Sequence, residues 1–319
     1  MTERMPVGVS TCLLGENVRY DGGHKRSRFL TNVLDPYVRW VSVCPEFELG
    51  LGIPREPLQL RRGEDGPRMV FIKSGADISA RMRDYSRGRV AELAGLGLRG
   101  YVLKKDSPSC GMERVKVYDQ NAVPAKDGVG LYAAVLAAAL PNLPLEEEGR
   151  LEDARLRENF IARLFAYDRW LRLRAASPAA GDLVRFHTAH KMQLLAHSPR
   201  GAQLLGKLVA RAGAVPAVDW APFLDEYEAG FMAALKRVAS PGRHTNTLQH
   251  LAGFLKDRLN AAQTRELAGV IEEYRLGVLP LIAALTLLAH HLRELEHPWV
   301  EAQTYLEPYP RELGLRSAI

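Results

Sequence analysis

Cysteine is scarce in this chain, whose 319 residues include three. Such a small and odd number gives no disulfide framework, and disulfides rarely persist in a reducing cytosol. Long apolar runs are missing as well, since no segment approaches the roughly 20 uninterrupted apolar residues of a membrane span. Residues 1–6 lack the apolar core of a secretory signal peptide. We therefore expect a cytoplasmic protein without a membrane partner, in which three inert buried thiols would be the ordinary interpretation.

Acidic residues are in slight deficit, with 37 Asp and Glu against 43 Lys and Arg, which gives a formal net charge of +6. This imbalance favours a polyanionic partner only weakly, because many basic proteins bind none. The remaining composition, with 47% apolar and 25% charged residues, is that of an ordinary globular protein. The length is sufficient for two domains.

The third cysteine, Cys110, lies on a loop that follows a short apolar run at residues 100–103. The run predicts a buried strand, and Pro108 and Gly111 predict an irregular turn after it. In α/β folds, functional sites are built at such carboxyl ends of strands. The loop at 104–111 therefore presents a cysteine, flanked by two hydroxyls and two lysines, where chemistry is expected.

Cys12 and Cys44 follow predicted strands in the same way. Residues 7–10 form a β-prone run before Cys12, and residues 37–43 are rich in β-branched and aromatic side chains before Cys44. Pro45 stops the second run from continuing as a strand. Because the order strand–helix–strand predicts a mainly parallel sheet, whose strands end at one edge, we expect the three cysteines to converge.

A helix is predicted between the second and third of these strands, beginning at Asp77 or Ser79. Its buried side is marked by apolar or aromatic residues at helical spacing: Met82, Tyr85, Val90, Leu93 and Leu96. Together these elements predict an α/β N-terminal domain over residues 1–145, with a mainly parallel sheet and helices.

Three converging thiols suit two kinds of metal centre. Structural zinc usually has four protein ligands, so zinc would need a fourth ligand such as His24. A [4Fe-4S] cluster held by three thiolates would leave one iron open to a substrate, where it acts as a Lewis acid. The residues alone leave both possibilities open.

Two polar residues beside the cysteines are candidates for catalysis. Glu46 lies two positions after Cys44 and is placed to move protons as a general acid or base; alternatively, it is a solvated loop charge. Ser107 lies three positions before Cys110 and is placed to orient a substrate or water; alternatively, its hydroxyl merely satisfies the turn.

Four short motifs carry a resemblance to a known family: STCLLG at 10–15, VRYDG at 18–22, CPE at 44–46 and SPSCG at 107–111. In combination they resemble the TudS-type thiouracil desulfidase family, over roughly residues 5–145.

The resemblance implies an α/β domain that holds a [4Fe-4S] cluster through Cys12, Cys44 and Cys110, with the open iron taking the thiocarbonyl sulfur of the substrate. It also implies catalytic roles for Glu46 and Ser107. The implied reaction is hydrolytic and not redox: C=S becomes C=O, and sulfide is released.

Proline, charge and glycine mark a boundary after the first domain. Pro141 and Pro144 stop a predicted helix at 133–140, and a Glu-Glu-Glu-Gly run follows at 146–149. Beyond it strand signals nearly vanish, and amphipathic patterns predict helices at about 159–175, 180–197, 200–212, 219–238, 244–259, 262–275 and 278–296. Residues 150–319 therefore predict an all-α helical domain.

The second domain has two basic features, each of which is alternatively a solvated helix face. Arg185, His187 and Lys191 are predicted to lie near one face of a helix, and Arg243 begins another helix, where a phosphate would be favoured. The segment FHTAHK at 186–191 resembles the all-α domain that is found fused behind TudS-like domains. That two-domain arrangement implies desulfidation of 4-thiouridine in tRNA.

We therefore expect an iron–sulfur desulfidase of tRNA, in which the first domain does the chemistry and the second supports RNA binding. The expected RNA contacts are basic residues of both domains: Arg83, Arg87, Lys104, Lys105, Lys191 and Arg243. Three alternatives remain: a desulfidase of free thiouracil or thionucleotides, a hydro-lyase that uses the open iron on a hydroxyacid, and a non-enzymatic zinc protein that binds RNA.

Overall fold

The computed structural model of the chain describes residues 4–293 and 297–319. These residues form two compact units, whose boundary in the sequence lies between Glu152 and Asp153. Among the described residues, no helix is long and apolar enough to cross a membrane.

The first unit contains the strands of the fold. In chain order they are Met5–Ser10 (β1), Val38–Val43 (β2), Leu58–Arg61 (β3), Arg68–Phe71 (β4), Gly100–Leu103 (β5), Val115–Tyr118 (β6), Pro124–Gly128 (β7) and Leu145–Glu147 (β8). Its α-helices are Pro45–Glu48 (α1), Ser79–Ala94 (α2) and Leu131–Ala139 (α3). The predicted α/β class of this unit is therefore confirmed.

The sheet that the sequence predicts has the strand order β2-β1-β5-β8. All of its neighbouring strands run parallel. Gly8 on β1 lies opposite Tyr101 on β5, and a Cβ at Gly8 would be 2.0 Å from the Tyr101 ring. Glycine is needed at this position because any side chain would displace the buried ring. The order places the carboxyl ends of β1, β2 and β5 side by side, at one edge of the sheet.

A second sheet, in the order β4-β3-β6-β7, has no counterpart in the prediction. Its neighbouring strands pair antiparallel, except that β3 runs parallel to β6. Leu60 and Met69 from this sheet pack in one buried cluster with Met82 of α2. Strands this short carry too few alternating side chains to give a clear period of two, so their packing partners decide their structure.

Helix α2 has the buried side that its apolar spacing predicts. Met82, Val90 and Leu93 are buried. The prediction for Leu96 is wrong, because the helix ends at Ala94 and the Leu96 side chain is 44% exposed.

The acidic run at 146–149 is not the linker that the sequence predicts. Its first residues belong to β8, which pairs with β5, and Glu146 and Glu147 are buried. Runs of like charge are ordinarily solvated, and buried carboxylates need partners to offset the loss of hydration. Here Arg150 forms an ion pair with Glu146, and the Met112 amide donates to Glu147. Met112 lies 35 positions before Glu147, so the local pattern does not reveal this partner.

The second unit is helical, as predicted. Its α-helices are Ala154–Ala175 (α4), Ala180–His197 (α5), Pro199–Val209 (α6), Trp220–Leu235 (α7), Pro241–Ala252 (α8), Ala261–Arg275 (α9), Leu281–Arg293 (α10) and Pro298–Glu301 (α11). Residues 294–296, predicted as the end of a helix, lie outside the described residues. Asp153 begins the unit by accepting hydrogen bonds from the amides of Arg155 and Leu156, which are otherwise unsatisfied at a helix start.

Candidate active site

The three cysteines lie together at the carboxyl edge of the first sheet. Cys12 follows β1 in a short 3₁₀ helix, Thr11–Leu14, Cys44 follows β2 at the start of α1, and Cys110 lies on the loop after β5. All three line one cavity of about 500 Å³. The topology brings them together because β2, β1 and β5 are neighbours.

Each of these thiols lies in surroundings that disfavour its thiolate form. Burial raises the pKa of Cys12 to about 11, and burial also raises the pKa of Cys44 and of Cys110. Charge on Cys44 contributes further to the raised pKa of the other two cysteines, so the three thiols are electrostatic neighbours. A metal centre would reverse this preference, because metal ligation displaces the thiol protons.

The cysteines line a volume larger than a single ion needs. In the described part of the chain, no three His, Cys, Asp or Glu side chains lie close enough to hold one metal ion. His24, the candidate fourth ligand for zinc, is exposed, and its Nδ1 accepts a hydrogen bond of 3.2 Å from the Arg26 amide. The residues that line the cavity do not include His24. The four zinc ligands considered from the sequence, the three cysteines and His24, are therefore not brought together in the described part of the chain.

Glu46 is connected to Ser107 through Ser109, a residue that the sequence patterns did not single out. Ser109 Oγ donates a hydrogen bond of 2.7 Å to Glu46 Oε1, and the hydroxyls of Ser109 and Ser107 are 3.0 Å apart. Ser109 is buried, and its Oγ also lies 3.7 Å from Cys110 Sγ. A carboxylate and two hydroxyls thus form a hydrogen-bonded chain beside the thiols.

Ser107 also satisfies the turn of the cysteine loop, which is the alternative role that the sequence allows. Its Oγ accepts a hydrogen bond of 3.1 Å from the Cys110 amide, across the turn. The hydroxyl therefore shapes the cysteine loop and belongs to the hydrogen-bonded chain at the same time.

Arg55 is a second residue that the sequence patterns missed. Its Nη2 and Nε donate to Glu46 Oε2 at 2.8 and 3.1 Å, and its Nη1 donates to the carbonyls of Val18 and Gly52. The side chains of Arg55 and Glu46 are 4% and 13% exposed, so Glu46 is a largely buried, paired carboxylate and not a solvated loop charge. Arg55 lies nine positions after Glu46, beyond helical spacing, and no local motif points to it.

Carboxylates of the 146–149 run hold both ends of the cysteine loop. Glu148 forms an ion pair with Lys104 and accepts a hydrogen bond of 2.7 Å from the Lys105 amide, where the loop begins. Glu147 accepts a hydrogen bond of 2.7 Å from the Met112 amide, where the loop ends. The end of β8 and the residue after it therefore hold the loop that carries Cys110, a role that the sequence patterns did not indicate.

The rest of the cavity combines an apolar wall with a cationic rim. The lining includes the apolar side chains of Val18, Leu58 and Ile72, and the ring of Tyr20. Cationic side chains also line it: Arg19, Lys25, Arg55, Lys104 and Lys105. Such a cavity can hold a planar, partly apolar ring whose remaining substituents are polar or anionic.

The expected RNA contacts in the first unit have different surroundings. Lys104 and Lys105 line the cavity, with Lys104 already paired to Glu148 and Lys105 exposed. Arg83 and Arg87 lie on α2 and do not line the cavity. Arg83 donates to the Pro67 carbonyl at 2.8 Å, and Arg87 forms an exposed ion pair with Asp84.

The expected RNA contacts in the second unit, Lys191 and Arg243, also differ in their surroundings. Lys191 is exposed, and its Nζ lies 6.0 Å from the centre of the Trp299 ring. Arg243 is half-buried and donates to the His197 carbonyl at 3.0 Å, so its guanidinium takes part in the internal structure of the unit. The placement of His187 on an exposed basic face is wrong, because this ring is buried against Tyr227.

Two family models match the chain, one in each unit. A model described as 2-thiouracil desulfurase matches residues 7–148, and a model described as a protein of unknown function, DUF1722, matches residues 191–310. The uncharacterized protein YbbK of Bacillus subtilis (strain 168) is 32% identical over 108 residues, which are 32% of this chain and 71% of that protein. The chain belongs to the 2-thiouracil desulfurase family.

This member of the desulfurase family is similar to two further proteins. The uncharacterized protein YbgA of Escherichia coli (strain K12) is 30% identical over 162 residues, which are 51% of this chain and 95% of that protein. A solved structure described as a [4Fe-4S]-dependent thiouracil desulfidase, TudS, is 31% identical, covers 47% of this chain and 94% of that one, and has a TM-score of 0.39. The chain thus joins a desulfurase-family domain to a DUF1722 domain.

Proposed function

We propose that this protein is a [4Fe-4S]-dependent desulfidase that converts 4-thiouridine in tRNA to uridine. The observation that carries the proposal is the cavity of the first unit, where three cysteines lie beside the chain formed by Glu46, Ser109 and Ser107. The overall reaction adds water across the thiocarbonyl and releases hydrogen sulfide, so that C=S becomes C=O. No electrons are gained or lost by the base.

Cys12, Cys44 and Cys110 are the residues that would hold the cluster. Three sulfur donors around a cavity of about 500 Å³ fit a group of several atoms, and thiolates are the preferred ligands of iron–sulfur clusters. When bound, the cluster supplies an open iron that acts as a Lewis acid toward the thiocarbonyl sulfur.

Glu46 carries the proton transfers in this proposal. Its Oε2 is held by Arg55, which leaves Oε1 directed at Ser109. Oε1 takes the proton of the water that adds to the thiocarbonyl carbon and returns it to the sulfur that leaves. Ser109 and Ser107 give this proton a hydrogen-bonded path, and Ser107 orients the water or the base at the other end.

The substrate class is supported by the shape and charge of the cavity. Its apolar wall and the exposed ring of Tyr20 suit one face of a pyrimidine, while Lys25 and Lys105 at the rim suit phosphates of the same nucleotide. A base within a folded RNA must be turned out of its stack to reach such a cavity, which costs a few kcal/mol. Contacts between the second unit and the remaining RNA would offset that cost.

A free thiolated pyrimidine is the second candidate substrate. The residues that line the cavity all belong to the first unit. A free thiolated base can therefore make the same contacts in the cavity as the base of a nucleotide. The two candidates differ only in what the second unit contributes.

The experiment compares the two substrates on full-length protein purified without oxygen. Loss of the thiocarbonyl absorbance is followed with thiolated tRNA and with free 4-thiouracil, over a series of salt concentrations. We expect turnover of the tRNA that decreases steeply with salt, because phosphate contacts release counterions when they form. Turnover of the free base alone, with thiolated tRNA left unchanged at every salt concentration, would reject the tRNA substrate and retain the desulfidase. A colourless protein that contains zinc and no iron would reject both.

A further inference from the structure

The second unit has a cavity of its own, of about 650 Å³. We call it the α6–α7 groove. Its rim carries four cationic residues, Arg200, Lys207, Arg211 and Arg237. Its lining also includes apolar and small residues from α6 and α7, among them Leu204 and Ala233. Neither the family comparisons nor the sequence motifs point to this surface.

Two glycines allow α6 and α7 to pack closely enough to form the groove. A Cβ at Gly201 would lie 2.8 Å from the Cβ of Ala234, and a Cβ at Gly230 would lie 2.9 Å from Leu205 Cδ2. Glycine is unfavourable inside a helix by about 1 kcal/mol relative to alanine. Its presence at the crossing of both helices is explained by the close approach of the two backbones.

The four cations of the groove have no acidic partner among the described residues. They are all exposed, and none forms an ion pair. Glu226 is the one acidic residue in the lining, so charges of the same sign dominate the groove. Two exposed arginines elsewhere on the second unit, Arg185 and Arg275, are instead paired with a carboxylate one turn away. An unpaired cluster of this kind indicates an external anion.

The spacing of the cations indicates a polymer. Arg200, Lys207 and Arg211 recur at intervals of seven and four residues along α6 and the turn after it, which places them on one face. At a rise of 1.5 Å per residue the row is roughly 16 Å long. A single phosphate spans much less than this, whereas successive phosphates of a nucleic-acid strand extend over such a distance.

We infer that the α6–α7 groove binds the sugar–phosphate backbone of RNA. This inference rests on the proposed tRNA substrate and gives it a location on the second unit. The cations neutralise successive phosphates, and Leu204, which is 55% exposed between them, contacts the sugars or the face of an unpaired base. The length of the row favours RNA over a small anion, and the apolar residues among the cations favour RNA over a partner bound by charge alone.

The test measures the binding of unthiolated tRNA, which cannot be turned over, to full-length protein by fluorescence anisotropy. We compare the double variant Lys207→Gln/Arg211→Gln with the control Arg258→Gln/Arg265→Gln, whose two arginines are exposed on the same unit and lie outside the groove. Removing two phosphate contacts should weaken binding and reduce the slope of log affinity against log salt by about 1.5. The control should retain the slope of the wild type, and turnover of free 4-thiouracil should be the same in all three proteins.

Other results would overturn the inference in recognisable ways. If the groove variant and a second variant, Arg200→Gln/Arg237→Gln, bind tRNA with the affinity and salt slope of the wild type, the RNA lies on another surface and the proposed substrate stands. If the wild type binds no tRNA but desulfurates free 4-thiouracil, the tRNA substrate itself is wrong. If polyglutamate displaces tRNA as well as an RNA of equal charge does, the groove takes an acidic protein.

Discussion

Ser109 Oγ donates a hydrogen bond of 2.7 Å to Glu46 Oε1, although the two residues are 63 positions apart in the chain. Glu46 lies in the first turn of the helix after β2, and Ser109 lies on the loop after β5, so the bond spans the strand β1 that separates them in the sheet. Arg55 holds the other carboxylate oxygen. The carboxylate is therefore held at both oxygens before any substrate binds, which fixes its position for the proton transfer that we propose.

The first prediction concerns the cysteines. Replacing Cys12, Cys44 or Cys110 with alanine should remove one of three sulfur ligands and abolish most of the bound iron and sulfide. Iron and acid-labile sulfide are measured after anaerobic reconstitution. Ser86→Ala is the control, because this buried serine donates to the Met82 carbonyl and does not line the cavity. Wild-type iron content in any one cysteine variant would show that this cysteine is not a ligand.

The second prediction concerns Glu46. The variant Glu46→Gln keeps the size of the side chain and an oxygen for Ser109, but it removes the group that takes up a proton. We expect a loss of turnover of about 100- to 10,000-fold, the usual contribution of a general acid or base, with iron content unchanged. The same assay on Glu16→Gln, an exposed carboxylate of the loop after Cys12, should give wild-type turnover. An active Glu46→Gln enzyme would mean that the carboxylate has a structural role only.

The third prediction concerns the ion pair of Arg55. Arg55→Ala leaves the carboxylate of Glu46 buried without its partner, and breaking a buried pair in this way costs roughly 3–5 kcal/mol. Hydrogen exchange of the β1 amides, measured by mass spectrometry, should show the first unit opening more often. Arg62→Ala removes an exposed pair with Asp127, in which both side chains are more than half exposed, and should change exchange little. Equal exchange in both variants would contradict the buried-pair explanation.

The fourth prediction concerns pH and the second unit. Burial, and then the charge of Lys191, lowers the pKa of His187 from 6.5 to about 4, and burial also lowers the pKa of His190 and His244. The unfolded chain takes up protons at these rings that the folded chain does not, so stability decreases as the pH falls. The contribution of His187 is complete above about pH 6.5 and is lost progressively toward pH 4.

This dependence is measured as the urea midpoint of tryptophan fluorescence between pH 7.5 and 5. His187→Gln should flatten the decrease, since glutamine can still bond to Tyr227 and does not titrate. The variant His250→Gln, at an exposed position of α8, should retain the slope of the wild type. If the urea midpoint of His187→Gln decreased more steeply with falling pH than that of the wild type, the direction of the effect that we expect would be wrong.

Much of the first unit could be predicted from local patterns. The strands before Cys12 and Cys44, and the strand before the loop of Cys110, are runs rich in apolar or β-branched residues, which favour strands. The parallel order follows from the helix between them, because parallel strands need a crossover. Helices of the second unit were equally predictable, since their apolar residues recur with the helical period over many turns.

The patterns failed where a residue's surroundings come from distant parts of the chain. Glu147 and Glu148 belong to a run that resembles a solvated linker, yet they hold the loop of Cys110 through its backbone amides and Lys104. Arg55 and Ser109 carry no motif of their own. Arg237 follows α7 and joins the other three cations of the α6–α7 groove only because the two helices pack together.

The sequence by itself determined which segments are buried strands or helices, and that three cysteines follow strands that end at one edge. These properties depend on the periodicity of apolar residues, which is a local quantity. The tertiary structure alone decided which carboxylates are paired, which hydroxyl reaches Glu46 and which cations remain without a partner. Those properties depend on hydrogen bonds and charges between residues tens of positions apart, because a buried polar group is stable only beside the partner that satisfies it.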